Sequence, residues 1–114
     1  VPEVAWLVKV DGLVIYHNGD CQPGDPSSEY DFLKKKTAEI DLAFVFPVSK
    51  EGEKYTLQNR IFFKTFPIRA VFPMHATAGE AMYLEFQKAM GERLPALPVH
   101  IPLKMGHRFT FGRK

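Results

Sequence analysis

The stretch VAWLVKVDGLVIYHNGD, residues 4–20, decides the fold. Two runs rich in β-branched and aromatic residues, 4–10 and 13–17, flank the dipeptide Asp11-Gly12. Asp-Gly accepts positive φ at both central positions of a tight turn, so the spacing predicts a two-residue β-hairpin. The second run ends in His17-Asn18-Gly19-Asp20, and residues 21–26, with two prolines and a glycine, form a loop that no strand continues.

Beyond that loop, Ser27 or Ser28 is a candidate cap for a helix from about Glu29 that carries Phe32, Leu33 and Lys36. Residues 40–46, IDLAFVF, form a short apolar run closed by Pro47, which predicts a strand buried on both faces. Residues 49–54 are a polar loop. Residues 55–66 fit a helix, although Ile61-Phe62-Phe63 fits a strand as well. RAVFPM, residues 69–74, predicts a further buried strand that delivers His75 at its C-terminal end. Thr77 is a candidate cap for a helix over 79–93, which puts Met82, Phe86, Ala89 and Met90 on one face. Residues 99–103 and 108–111 are expected to close the chain as a pair of short strands. A hairpin followed by alternating helices and strands argues for an α/β (α+β) domain, a mixed sheet with helices on one face.

With 114 residues, the chain is expected to form a single segment, 1–114, with one core. Ten phenylalanines and four tyrosines are a heavy aromatic load, which either fills that core or covers a surface meant for a partner. The net charge of +2 is too mild for nucleic-acid binding, and the aromatics are not interleaved with Lys and Arg as a base-stacking platform requires. Lys34-Lys35-Lys36, beside Glu29, Asp31 and Glu39, reads as a solvated helix face. Cys21 is the lone cysteine, so an internal disulfide is excluded and a cytoplasmic location is expected. No apolar run approaches the roughly 20 residues of a membrane span. The first residue, Val1, suggests that the chain starts inside something longer or has been trimmed.

Two strand-end residues carry metal chemistry. Asp20 ends YHNGD and His75 ends AVFPMH, each at the tip of a hydrophobic strand that holds its backbone rigid. Gly19 permits a sharp turn before Asp20. Carboxylate and imidazole suit zinc, iron or manganese, and a carboxylate can bridge two metals. On spacing alone, bland readings are favoured: Asp20 caps its turn, and His75 is a hydrogen-bonded structural residue.

Taken together, these segments resemble the C-terminal half of a metallo-β-lactamase superfamily domain. Residues 6–20 look like the strand pair before that family's "GD" aspartate, IDLAFVFP like its next buried strand, and RAVFPMHATAGEA like the strand and helix around its last histidine ligand. The flavour is that of L-ascorbate-6-phosphate lactonase and the N-acyl-phosphatidylethanolamine phospholipase D enzymes, and the resemblance spans roughly 4–111. It implies half of an αββα sandwich in which Asp20 bridges two metals, expected to be zinc with iron or manganese as alternatives. His75 would be a ligand of the second metal, and His17 a neighbour of the site that orients it. The implied activity is hydrolysis of an ester, lactone, amide or phosphodiester by a metal-bound hydroxide.

The chain departs from the family in one respect. The signature H-x-H-x-D-H loop belongs to the N-terminal half, and no H-x-H occurs here. The chain alone is therefore not expected to be active. Its inner sheet face should be bare and should take up the N-terminal half of the same domain, or another copy of the chain, before a small-molecule substrate is turned over. The alternative is a non-catalytic interaction module that keeps the fold and binds a partner through its aromatic sheet face. His100 and His107 match no ligand motif, and His107 reads as a turn residue.

Overall fold

The computed structural model describes residues 5–17, 27–45, 62–74, 80–101 and 106–111. Within them lie β1 (Trp6–Val10), β2 (Leu13–His17), α1 (Ser27–Lys36), β3 (Ile40–Val45), β4 (Ile68–Pro73) and α2 (Glu80–Arg93), with a short helical turn at 62–65. The four strands form one sheet in the order β1-β2-β3-β4. β1 and β2 are antiparallel, and β2, β3 and β4 run parallel. The class is α+β with a mixed sheet. Asp11 and Gly12 adopt φ of 49° and 79°, the paired positive values that the hairpin required.

Side chains alternate across each strand, so the register assigns the faces. Tyr16, Ala43 and Val71 lie in one row, as do His17, Phe44 and Phe72 in the next. The first row points into the core, where Tyr16, Ala43, Val45 and Val71 meet Tyr30 and Leu33 of α1, Phe62, Phe63 and Phe66, and Phe86 and Met90 of α2. Phe62 is the hub, with ring centroids 4.7 Å from Tyr16 and 5.5 Å from both Tyr30 and Phe66. The Tyr16 hydroxyl donates to Glu29 at 2.8 Å, tying α1 to β2. The helical elements thus cover one face. On α1, Lys34, Lys35 and Lys36 are exposed as expected, in the last turn, where cations offset the helix dipole.

Two expectations need correction. β3 is only partly buried on its second face: Ala43 and Val45 are buried on one face and Ile40 on the other, but Leu42 and Phe44 are half-buried. Among the described residues, the closing strand pair does not form. Val99 makes a single parallel bridge to Val71, and residues 108–111 have no strand assignment. Prolines at 98 and 102 lack the N–H that a longer ladder needs, and among the described residues Val71 donates to the Pro98 carbonyl and His100 donates to the Val71 carbonyl. On α1, Tyr30 and Leu33 form the buried stripe, while Phe32 is exposed.

The anticipated capping side chains of Ser27 and Ser28 and the Met82 side chain lie outside the described residues, as do Thr77, residues 46–54 and residues 55–61.

Candidate functional site

The three parallel strands keep step from end to end. His17, Phe44 and Phe72 are each the fifth residue of their strand and are mutually in register. Their rings stack in a row across the sheet: His17 on Phe44 at 5.9 Å and 30°, and Phe44 on Phe72 at 5.3 Å and 20°. His100 continues the row, 5.3 Å from Phe72 at 24°. Phe109 and Phe111 meet Phe72 edge-on at 5.2 and 5.7 Å, and His107 stacks on Phe109 at 4.4 Å. This row marks the C-terminal edge of the parallel strands, the edge where ligands bind in such sheets.

A groove of about 430 Å³ wraps the end of β4 at this edge. Leu42, Phe44 and Phe72 contribute its sheet side, and Pro73 and Met74 the strand end. Tyr83 of α2 and the segment carrying His107, Phe109 and Phe111 complete its described lining.

The rest of the ring-bearing face is aliphatic and is open towards β1 and β2, whereas Ile40 of β3 and Ala70 of β4, on the same face, are fully buried. Trp6, Val8 and Val10 of β1 are 61%, 44% and 47% exposed, and Leu13, Ile15 and Leu42 are half-buried. Read by register, this face of the four strands carries no Asp, Glu, Lys or Arg. The strands' charges sit on the opposite face, at Lys9, Asp41 and Arg69.

Of the residues singled out in the sequence, His17 is exposed at the end of β2, with its ring against Phe44. Asp20 and His75 lie outside the described residues; β2 ends three positions before the one, and β4 two positions before the other. Among the described residues, no group of three or more His, Cys, Asp and Glu side chains is assembled to hold a metal ion. The donors proposed for this chain number two, Asp20 and His75, one short of the three protein ligands of a catalytic zinc.

The ring row itself was not anticipated. Its signal was available: an aromatic or imidazole ring recurs at the same offset in each parallel strand. Using that signal required the strand register, which the sequence does not state. Among the described residues, no helix is long and apolar enough to cross a membrane. Compared with protein-family models, curated proteins and solved structures, the chain matches none.

Proposed function

We propose that this chain is the C-terminal half of a metal-dependent hydrolase domain of the metallo-β-lactamase kind, working only when a second half covers the open part of its ring-bearing sheet face. The observation that carries the reading is that face: apolar, without charge on its strands, and ending in an edge from which β2 leads towards Asp20 and β4 towards His75. β2 and β4 are separated by one strand, about 10 Å at ordinary strand spacing, so their two loops depart from neighbouring points. Asp20 and His75 supply two metal ligands, and the missing ones come from the N-terminal half. Zinc is the metal that this donor pair and its family resemblance favour, with iron or manganese served by the same atoms. The substrate class is an ester, lactone, amide or phosphodiester.

A second reading is supported by the hairpin. Trp6, Val8 and Val10 are the most exposed apolar residues of the face, and β1 lies two strands away from β3, outside the run of parallel strands. A pure interaction module would use them and need no metal.

Native mass spectrometry of the chain purified from its source, followed by assays of the assembled species, separates the two. The hydrolase reading expects a complex heavier than the 13.0 kDa chain, holding one or two metal ions. Asp20→Ala in that complex should then abolish hydrolysis and lower metal content. A metal-free complex with unchanged partner binding in Asp20→Ala favours the interaction module. A bare, metal-free 13.0 kDa species overturns the hydrolase reading.

A further inference from the structure

We infer that the cleft between α1 and the β1–β2 hairpin binds the ammonium end of a small aliphatic amine. Its volume of about 380 Å³ lies within the range of small-molecule sites, about 300–1,000 Å³. Glu29 is the one charged side chain in its described lining. The Tyr16 hydroxyl donates to Glu29 Oε1 at 2.8 Å, and Tyr16 is itself 3% exposed with its ring packed on Phe62. The core therefore fixes the position of this carboxylate before any ligand arrives. No described residue donates to its second oxygen, and among the described residues Glu29 has no cationic partner. A held carboxylate with a spare acceptor calls for a cation that carries N–H donors.

The surroundings select the kind of cation. Phe32 stands three positions after Glu29 on α1, a spacing that makes the two neighbours on the helix surface, and it is 58% exposed. Its ring already attracts positive charge, since Lys36 Nζ lies 5.3 Å from the ring centroid. Ala5, Leu7 and Leu33 add apolar wall along which a short alkyl stem can lie, with the charged end at the carboxylate. An anion would be repelled by Glu29. An exposed ion pair alone is weak, so affinity requires carboxylate, ring and apolar wall together. Leu7 and Tyr16 belong to the helix-covered face of the sheet, opposite the ring row, so the site is separate from the proposed hydrolase edge and does not depend on that reading.

The test titrates the chain, in the assembly in which it purifies, with three ligands that share one stem. Pentylamine is cationic at neutral pH, 1-pentanol is neutral and pentanoate is anionic. Backbone amide NMR signals are followed. Pentylamine should give saturable shifts at Leu7, Glu29, Phe32 and Leu33, 1-pentanol should bind about tenfold more weakly or worse, and pentanoate should not bind. Glu29→Gln keeps an acceptor for the Tyr16 hydroxyl while removing the charge, and should weaken pentylamine about tenfold. Phe32→Leu, at an exposed position, should weaken it about two- to fivefold and gives a second reading should Glu29→Gln disturb α1. Lys36→Gln frees the Phe32 ring and removes a like charge, so it should tighten binding about twofold or more. Glu85→Gln removes an exposed carboxylate from α2 and should leave affinity unchanged.

Four results would overturn the inference. They are shifts that never saturate, 1-pentanol binding as tightly as pentylamine, Glu85→Gln weakening pentylamine as much as Glu29→Gln, and affinity that neither Glu29→Gln nor Phe32→Leu alters. None of them bears on whether Asp20 binds metal, and loss of the hydrolase reading leaves the amine site to be judged on these titrations alone.

Discussion

Asp41 fastens three strands with one carboxylate. It is 3% exposed, accepts from the Val14 backbone N–H at 2.7 Å through one oxygen, and pairs with Arg69 at 3.2 Å through the other. A buried charge is tolerated only when both oxygens are engaged in this way. Asp41→Ala removes both partners' acceptor and leaves an N–H and a guanidinium unmatched, so it should cost about 2–4 kcal/mol. Asp41→Asn keeps one acceptor and should cost less, about 1–2 kcal/mol. Urea unfolding monitored at the single tryptophan, Trp6, measures both; equal midpoints for wild type and Asp41→Ala would contradict this role. Within IDLAFVF, Asp41 gave no sign of its partner, because the run reads as apolar. The pairing follows from register, since Asp41 and Arg69 each stand second in their strands. The candidate ligands were legible only as residue types at strand ends. Imidazole and carboxylate announce metal chemistry in a sequence, but two donors do not make a centre.

At the scale of elements, local chemistry was the most readable. The hairpin needed only Asp11-Gly12 and its flanks, and β1 and β2 lie where that turn implies. Gly12 has φ of 79°, a conformation that a side chain strains. Gly12→Val should destabilise the hairpin by about 1–2 kcal/mol. Hydrogen exchange should localise the loss, with amides of β1 exchanging faster while those pairing β3 with β4 hold. Uniform loss across all four strands would show that the hairpin and the parallel strands unfold as one unit. The helix over 80–93 was equally plain, since Phe86 and Met90 repeat at helical spacing and both are fully buried. What failed was the tail. Apolar residues around 99–103 and 108–111 suggested strands, but Pro98 and Pro102 interrupt the donors, and Phe109 and Phe111 spend their rings on Phe72. Rings were mistaken for strand propensity.

For the whole molecule, the lesson is asymmetry. Helices cover one face of the sheet, whereas the other leaves Trp6, Val8 and Val10 largely in water. The expected bare inner face is open only at β1 and β2, because Ile40 and Ala70 on the same face are fully buried and Phe109 and Phe111 pack on Phe72. Its occupant is a matter of proposal. Val8→Glu tests the proposal at this scale. The side chain is 44% exposed, so the change should alter stability by no more than about 1 kcal/mol while placing a charge where a partner must exclude water. Partner capture in native mass spectrometry should fall at least tenfold, with the chain's own hydrogen-exchange pattern preserved. Undiminished capture would move the interface elsewhere.

The carboxylate clasp and the ring row sit near opposite ends of the same three strands: Val14, Asp41 and Arg69 second in each, His17, Phe44 and Phe72 fifth. The clasp ties the N-terminal ends of these strands, and the rings stack at their C-terminal ends. Substitutions among the rings are therefore expected to accumulate without loosening the clasp. A library randomised at Phe44, Phe109 and Phe111 should accordingly retain far more folded members than one randomised at Val14, Asp41 and Arg69.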